Sequence, residues 1–361
     1  DLSALAHNYA LLRSQLPQQT RFMGVVKANG YGSDSVAVAR KLEALGAEYL
    51  AVAFTREGAF LREHGIRLPI MVLHPQPSDL ELLIKHCLEP SLYSRRILKG
   101  FAKAVRKSAP DGYPIHLEFN TGLNRLGFRE EDLGWLPQWI QAEKGLQLRS
   151  VFSHLAASDD LSQADFTRAQ LEAFRNIAQE ADALFTERPF KHLLNTSGVF
   201  HYPEAAWDMV RCGIGLYGYA NRPDLDRQLR PVARLLTHIS QIHEVRTGEW
   251  VGYNMGYRAE SGRRIATLPL GHADGVGRHY GHGKGAFTIG GKQAPITGNV
   301  CMDMTMVDVS GLDCQEGDPA IFFGPGVSAE VQAHAAGTIS YELLTGISTR
   351  VRREILGGQE K

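Results

Sequence analysis

Short apolar runs alternate with amphipathic stretches through residues 1–222, and this alternation constrains the fold more than any other feature. The runs are RFMGVVKAN, YLAVAF, PIMVLHP, EPSLY, IHLEFN, LRSVFSHLA, KHLLN and DMVRCGIGLYGY. Buried strands that alternate with helices are typical of parallel α/β folds. About eight repeats of this unit favour a closed (β/α)8 barrel over an open sheet.

The stretches between the runs have helical periodicity. SRRILKGFAKAVRKSA is one of them, and SQADFTRAQLEAFRNIAQEA is another. In the second stretch the residues expected to share one helical face are Phe166, Ala169, Ala173, Phe174 and Ile177. Such a stripe predicts a helix that packs this face against the sheet.

The pattern changes after Arg222. The segment NRPDLDRQLRP has the composition of a linker, and strand-like pieces separated by glycine turns follow it, with little helical pattern. We therefore predict two domains, a barrel at 1–222 and a mostly β domain at 231–361. The predicted fold class is α/β, with an N-terminal (β/α)8 barrel and a C-terminal mostly β domain.

Composition and charge exclude several function classes. The chain has 361 residues, with 39 basic and 39 acidic side chains, so nothing in its net charge attracts nucleic acid or an anionic membrane. No apolar run is long enough to span a bilayer. The four cysteines are far apart and lack paired metal spacing. These features predict reduced thiols in a cytoplasmic protein.

Polar residues follow the predicted strands at the end where parallel barrels carry their function. They are Lys27, Asn120 to Arg125, His154, Asn195 to Gly198, and Val210 to Gly215. A lysine amine can bond covalently to an aldehyde. Hydroxyls and backbone N–H groups of the NTSG and CGIG turns can bind a phosphate. An arginine can face a ring nitrogen. Together these groups fit pyridoxal 5'-phosphate.

Seven segments resemble the alanine racemases. VVKANGYG is similar to the cofactor-attachment motif of that family, and six more segments match family signatures in order. They are NTGLNRLGF, SHLAASDD, NTSGVFHYPEAAWDMVRCGIGLYG, VGYNMGYRA, LPLGHADG and GNVCMDMTMVDVS. The resemblance implies an enzyme that interconverts L-alanine and D-alanine by two-base proton transfer at Cα, with pyridoxal phosphate as cofactor. It also implies that the D-alanine supplies cell-wall peptidoglycan.

The resemblance implies a role for each cofactor-binding position. Lys27 holds the cofactor as an imine and then acts as a catalytic base. The phosphate is contacted by the hydroxyls of Tyr31 and Thr196 and by the backbone N–H groups of Gly213 and Ile214. Arg211 meets the pyridine nitrogen, and His154 packs near the ring and supports Arg211. A guanidinium only donates hydrogen bonds, so the ring nitrogen stays unprotonated, which favours return of the proton to Cα over transamination.

The remaining implied roles concern the substrate and a second subunit. Tyr253 is the second catalytic base and enters the active site from the partner of a homodimer, with Tyr257 as the nearest competitor for this role. Arg125 binds the substrate carboxylate and the cofactor phenolic oxygen. The backbone N–H of Met302 binds the same carboxylate, with Asp303 beside it.

Four positions depart from the family pattern. Glu118 stands where many relatives carry a carbamylated lysine, and we interpret it as a permanent anion that supports Arg125. Asn120 replaces an aspartate. His272 and Thr349 replace two aromatic residues that narrow the substrate entry in some relatives. These two replacements keep a broader substrate range open as an alternative to strict alanine specificity.

Three alternatives stay open beside the racemase. A racemase of broader range or one specific for serine has the same fold, and a related decarboxylase family uses the same cofactor on a similar fold. A cofactor-carrying protein without turnover resembles the barrel alone. A zinc site at His272, His279 and His282 lacks acidic companions at metal spacing. The glycine-rich GHGKG segment is more typical of a hairpin loop than of a nucleotide site.

Overall fold

A computed structural model describes residues 1–108, 112–220 and 222–358 of the chain. Its contacts divide the chain into two compact units. One contains Leu2–Gly30 and Asp34–Leu229, and the other contains Asp1, Tyr31–Ser33 and residues from Arg230 onward. They are called the barrel unit and the C-terminal unit here.

Eight parallel strands form a closed barrel in the first unit, as the sequence predicts. The strands are β1 (Arg21–Val25), β2 (Tyr49–Val52), β3 (Ile70–Val72), β4 (Glu89–Leu92), β5 (Tyr113–Glu118), β6 (Leu146–Phe152), β7 (Phe190–His192) and β8 (Met209–Cys212). Each strand pairs with its neighbours in chain order, and β8 closes the barrel on β1. Strands such as β2 and β3 are buried along their whole length, as expected where helices cover a parallel sheet.

Helices follow most of the strands. They are α1 (Leu2–Ser14), α2 (Lys27–Tyr31), α3 (Ser35–Ala44), α4 (Thr55–Glu63), α5 (Leu80–Lys85), α6 (Arg95–Ser108), α7 (Leu136–Ala142), α8 (Ala164–Leu184), α9 (Thr196–His201) and α10 (Pro223–Asp226). Of these, α2 is a left-handed turn and not an ordinary helix. In α6 the buried residues Ile97, Leu98, Phe101 and Val105 recur at helical spacing and leave the basic residues outside.

The buried face of α8 differs from the predicted one. Phe166 and Ala169 are exposed, whereas Thr167 and Gln170 are buried beside Phe174. The reason is that the Gln170 side chain makes three hydrogen bonds to the loops after β5 and β6. The helix is therefore rotated toward polar partners that a hydrophobic pattern cannot reveal.

The C-terminal unit is built from antiparallel strands. They are β9 (Leu235–His238), β10 (Gln241–Val245), β11 (Trp250–Val251), β12 (Tyr257–Arg258), β13 (Arg263–Leu268), β14 (Ala286–Ile289), β15 (Lys292–Pro295), β16 (Thr305–Asp308) and β17 (Pro319–Phe323). They form a three-stranded sheet in the order β10-β13-β16, a β11-β12 pair and a four-stranded sheet in the order β15-β14-β17-β9.

Two helices end this unit, α11 (Ala329–Ala335) and α12 (Ser340–Thr345). The C-terminal unit is therefore mostly β with little helix, as the sequence predicts, although α10 lies inside the predicted linker. Both late helices are short, so their hydrophobic pattern covers too few turns to stand out. Within the described ranges, no helix is both long and apolar enough to cross a membrane.

Candidate functional site

The predicted site residues of the barrel unit lie at the carboxyl ends of its strands. Lys27 follows β1, Arg125 lies in the loop after β5, and His154 follows β6. Thr196 begins α9 after β7, and Arg211 lies within β8. Because the carboxyl ends of parallel barrel strands meet at one face, the fold brings these residues to the same end of the barrel.

Lys27 lies at the start of the left-handed turn α2. The next three residues all have positive φ, with 52° at Ala28, 54° at Asn29 and 62° at Gly30. Burial lowers the pKa of the Lys27 amine, the positive charge of Arg125 lowers it further, and the negative charge of Glu57 opposes both. A lysine amine with a lowered pKa is more often neutral, and the neutral form is the one that bonds to an aldehyde or accepts a proton.

Arg211 is a buried cation without a carboxylate within ion-pair distance in the described ranges. Nη1 donates to Nδ1 and O of His192 at 2.6 Å and 3.2 Å. Nη2 donates to the backbone oxygens of Ser153 and Leu193 at 2.6 Å and 3.2 Å. Burial lowers the pKa of Arg211 to about 10, which still leaves it charged at neutral pH. No described residue accepts a hydrogen bond from Nε, so this donor is left for a bound group.

Nη2 of Arg211 also lies 3.2 Å from Nδ1 of His154. Burial and the charges of Arg211, Arg125 and Lys27 hold the pKa of His154 well below its usual range. The imidazole is therefore neutral, and because a guanidinium only donates, Nδ1 accepts and Nε2 carries the proton. Gln170 holds this loop from the other side, since its Nε2 donates to the His154 oxygen at 3.1 Å.

A chain of buried polar side chains continues from Arg211 through the barrel interior. Nε2 of His192 lies 2.8 Å from Oγ of Ser150, which lies 2.6 Å from Nδ1 of His116. Nε2 of His116 lies 2.9 Å from a carboxylate oxygen of Glu89. Burial opposes ionisation of Glu89, but hydrogen bonds and positive charges around it, led by those of His116, hold its pKa below the usual range.

The sequence analysis missed all four members of this chain. Their only signal is a polar residue inside each of the apolar runs β4, β5, β6 and β7. Burial also holds the pKa of His192 well below its usual range, with the charge of Arg211 as a further cause. A polar residue in a buried strand has to find a partner, so four of them in neighbouring strands indicate a shared network.

Thr196 and the Gly213–Gly215 turn form the predicted phosphate-binding part of the site. Oγ1 of Thr196 accepts from the backbone N–H groups of Gly213 and Gly215, each at 3.2 Å. The hydroxyl hydrogen of Thr196 can then be donated to a bound group. The backbone N–H of Ile214 has no acceptor among the described residues. The Thr196 hydroxyl and the Ile214 N–H therefore fit a phosphate group, whereas the Gly213 N–H already donates to Thr196.

Glu118 and Arg125 do not form the close pair that the sequence suggests. In the described chain, no carboxylate lies within 4.0 Å of the Arg125 side chain, which is exposed. Glu118 is buried and accepts a hydrogen bond from Ser91 Oγ at 3.3 Å. Burial raises the pKa of Glu118, and the charges of Arg211 and Arg125 oppose that rise. Glu118 therefore interacts with both arginines across a distance.

Asn120 shapes the loop that carries Arg125. Its Oδ1 accepts from the backbone N–H groups of Gly122 and Asn124, both at 3.0 Å, and its Nδ2 donates to Oδ1 of Asn124 at 2.8 Å. Asn124 has a positive φ of 56°. The asparagine at 120 thus stabilises a turn, as a short polar side chain commonly does.

The other predicted residues lie in the C-terminal unit. Tyr253 is 74% exposed, and its backbone oxygen accepts from Nδ2 of Asn299 at 3.0 Å. Tyr31, grouped with this unit by its contacts, is buried, and its ring centroid lies 6.1 Å from that of Tyr341. Met302 is 59% exposed, and its backbone N–H has no acceptor among the described residues.

Arg350 organises the loop that contains Met302, and sequence reasoning missed it. Its Nε and Nη2 donate to the two carboxylate oxygens of Asp274 at 2.6 Å and 2.9 Å. Nη2 also donates to Asp303 at 2.8 Å, so the Asp303 carboxylate is already engaged. Ala273 N–H donates to the Met302 oxygen at 3.0 Å. The only signal in the sequence is a basic cluster, TRVRRE, near the end of the chain.

No group of three or more potential metal ligands occurs within the described part of the chain. Of the two departures at the predicted substrate entry, His272 donates its backbone N–H to Cys301 at 2.9 Å, and Thr349 is exposed. Neither side chain is a large aromatic ring, so both positions leave more room than a tyrosine.

Comparisons with known proteins identify the family of the chain. The family model for the alanine racemase N-terminal domain matches residues 1–221, and that for the C-terminal domain matches residues 232–355. The chain is 34% identical to an alanine racemase of Carboxydothermus hydrogenoformans over 98% of this chain and 97% of the relative.

Solved structures give the same result. The fold is similar to that of the alanine racemase from Streptomyces lavendulae, with a TM-score of 0.93, 33% identity and coverage of 99% of this chain and 96% of that one. For the enzyme of Streptomyces coelicolor the TM-score is 0.92 at 31% identity, with 99% and 97% of the two chains covered. The chain therefore belongs to the alanine racemase family.

Proposed function

We propose that this chain is a pyridoxal 5'-phosphate-dependent alanine racemase, which interconverts L-alanine and D-alanine. The observation that carries the proposal is the presence of two suitable groups at the same end of the barrel. Lys27 has an amine of lowered pKa, and Arg211 has a buried guanidinium whose Nε–H has no acceptor among the described residues. An amine and a donor-only cation fit the aldehyde and the ring nitrogen of this cofactor.

The residues that would hold the cofactor fit its groups. Lys27 would bond to the aldehyde, and Arg211, supported by His154, would donate to the ring nitrogen. The phosphate would be bound by Thr196, Tyr31 and the N–H groups of Gly213 and Ile214. When bound, the cofactor withdraws electrons from the substrate Cα and so makes its proton acidic.

Two side chains would then move the proton at Cα. The Lys27 amine would accept it on one face, and the phenol of Tyr253 would serve the opposite face. A phenol has an ordinary pKa of about 10, so it needs a cationic neighbour to act as a base. Because Arg211 cannot accept a proton, it disfavours a protonated ring and keeps the reaction at Cα.

The substrate carboxylate would be bound by Arg125 and by the backbone N–H of Met302. Neither group has a competing partner among the described residues. Asp303 would hold the Met302 loop through Arg350 rather than contact the substrate. Glu118 would keep an anionic charge near Arg125, in place of the carbamate of many relatives.

We also propose a homodimer in which Tyr253 serves the active site of the partner subunit. Apolar side chains exposed in the segments around the second base support this, namely Tyr253, Met255, Met302 and Met304. Contiguous exposed apolar surface commonly marks an interface.

In this proposal residues 1–222 bind the cofactor, and residues 231–361 carry the second base. The enzyme would work in the cytoplasm, without nucleic-acid or membrane partners, and supply D-alanine for peptidoglycan.

The test combines a racemisation assay with labelling. Purified protein with pyridoxal phosphate should convert L-alanine to D-alanine and the reverse, and Lys27→Ala should lose both directions. Borohydride reduction followed by peptide mapping should place the cofactor on Lys27. Labelling of another lysine, or turnover by Lys27→Ala, would contradict the proposal.

A racemase of broader substrate range, serine included, is the second candidate. It is favoured by His272 and Thr349, which replace aromatic residues at the predicted substrate entry. Serine adds one hydroxyl to alanine, and a pocket with more room rejects such an addition weakly. A panel of L-amino acids in the racemisation assay decides this: kcat/KM for serine within about tenfold of that for alanine supports the broader range.

A further inference from the structure

The backbone directly after Lys27 is strained. Ala28 and Asn29 both have left-handed φ and ψ angles, and Gly30 continues the same turn. A side chain disfavours this conformation because its Cβ comes too close to the following carbonyl oxygen. Strain of this kind persists only where surrounding contacts determine it, and it commonly marks a functional position.

Glu57 provides the contact that determines the start of this turn. One carboxylate oxygen, Oε1, accepts from the Ala28 N–H at 2.6 Å. The other, Oε2, accepts from the N–H groups of Ala53 and Phe54 at 2.7 Å and 3.0 Å. Glu57 lies in the first turn of α4, directly after β2, so its carboxylate ties the carboxyl end of β2 to the residue that follows Lys27.

The other contacts of the turn act further along the chain. The N–H of Gly30 donates to the Val26 oxygen at 3.0 Å, and the N–H of Ser35 donates to Oδ1 of Asn29 at 3.2 Å. Neither involves the N–H of Ala28. In the part of the chain that the structure describes, Glu57 alone accepts a hydrogen bond from this group.

We propose that Glu57 is a positioning residue for Lys27. Its carboxylate accepts a hydrogen bond from the Ala28 N–H and so stabilises the left-handed turn. The turn then fixes the orientation of the Lys27 side chain at the end of the barrel. This inference rests on the proposed function of Lys27. The negative charge of Glu57 also raises the pKa of the Lys27 amine, against burial and the charge of Arg125.

A pocket of about 280 Å³ lies beside this carboxylate. Glu57 lines it together with Val26, Asn29, Val52 and Phe60. The pocket is large enough for a small carboxylate such as formate or acetate. Removal of the Glu57 side chain would therefore leave room for such an ion next to the unpaired N–H groups.

The first experiment measures how fast the full-length protein, freed of cofactor, attaches pyridoxal phosphate at different pH values. Attachment needs a neutral amine, so its rate rises through the pKa of Lys27. In Glu57→Gln the midpoint should move to lower pH, because an opposing negative charge is lost. The plateau rate and the kcat of racemisation should fall by about tenfold to about 100-fold, since the amine is misplaced.

Glu43→Gln is the matched control. Glu43 is also half-buried, and one of its oxygens accepts from two backbone N–H groups, those of Arg67 and Leu68, each at 3.1 Å. This variant should lose stability without a change in the midpoint of attachment. If Glu57→Gln behaves in the same way as Glu43→Gln, the proposal is wrong.

The second experiment is chemical rescue. Formate or acetate should raise the rate of cofactor attachment in Glu57→Ala and should not affect wild type. A folded Glu57→Ala protein that neither ion rescues would overturn the proposal, and if this variant does not fold, Glu57→Asp replaces it in the pH measurement. If wild type itself does not attach the cofactor at Lys27, the proposed function is wrong. If wild type attaches it at Lys27 and substitution of Glu57 changes neither the rate nor the midpoint of attachment, only the role of Glu57 is wrong.

Discussion

Nη1 of Arg211 lies 2.6 Å from Nδ1 of His192, and this contact fixes the direction of the hydrogen bond that His192 makes further into the barrel. A guanidinium only donates, so Nδ1 of His192 accepts and Nε2 carries the proton. Nε2 then donates to Oγ of Ser150, Oγ also contacts Nδ1 of His116, and Nε2 of His116 donates to the Glu89 carboxylate. Arg211 and Glu89 are thus the two ends of one hydrogen-bonded chain.

We therefore expect the two ends of this chain to be energetically coupled. In a double-mutant cycle, the effects of Glu89→Gln and Arg211→Lys on the free energy of unfolding should be non-additive by about 0.5–3 kcal/mol. Urea unfolding of the full-length protein measures this. The pair Glu43→Gln and Arg211→Lys is the control and should be additive within about 0.5 kcal/mol. Additivity in both cycles would contradict the coupling.

Glu118→Gln should lower kcat/KM by up to about tenfold. Glu118 has no ion pair with Arg125, so the substitution removes only a charge interaction across a distance, and a tenfold rate change corresponds to about 1.4 kcal/mol. Removal of CO2 should not affect wild type, and bicarbonate should not rescue the variant. Glu118→Lys should also be inactive unless CO2 carbamylates the new amine. Full activity of Glu118→Gln would show that Arg125 is held by other groups.

The raised pKa of Glu118 also predicts a pH dependence of stability. Burial makes the folded protein retain a proton that the unfolded carboxyl releases at lower pH. The stability of wild type relative to Glu118→Gln should therefore fall as pH rises from the ordinary glutamate pKa to the higher folded pKa, and then stay constant. Urea unfolding at several pH values measures the difference. If the stability of wild type relative to Glu118→Gln rises over this pH range, the pKa of Glu118 is not raised in the folded protein.

The proposed shared active site predicts complementation between two inactive variants. Lys27→Ala and Tyr253→Phe should each be inactive or strongly impaired, and their heterodimers should regain one working site of two. Subunit exchange, followed by the racemisation assay, measures this. Tyr257→Phe serves as the control for the neighbouring phenol and should stay active. No recovery after proven exchange would place both bases on one chain.

Arg350→Lys should weaken the binding of the substrate more than it slows the reaction. A lysine cannot make the paired contacts that Arg350 makes with Asp274 and Asp303, so the Met302 loop should loosen. We expect a higher KM for alanine with a smaller change in kcat. Arg352→Lys is the matched control, because Arg352 is an exposed arginine whose ion pair is with Glu354. An equal effect of both substitutions would exclude this role.

Much of the fold and part of the site could be predicted from the sequence. Apolar runs at regular spacing determine eight buried strands, because only a parallel sheet covered by helices buries such runs on both faces. The strand ends then place Lys27, Arg125, His154 and Thr196 at one face without further information. The two short helices at the end of the chain were missed, because their patterns are too brief to be distinctive.

The partners of these residues were decided only by the tertiary structure. His116 faces Ser150 because the β5–β6 register shifts between Ile115 and His116, and nothing in the local sequence specifies that shift. The rotation of α8 is set by the hydrogen bonds of Gln170 to two loops that are distant in sequence. Glu57, at the end of another strand, accepts a hydrogen bond from the turn after Lys27. Hydrophobic burial is non-directional and can be read from composition and period, whereas a hydrogen bond requires two specific atoms about 3 Å apart. That distance is set by register and helix rotation, so it exists only in the folded chain.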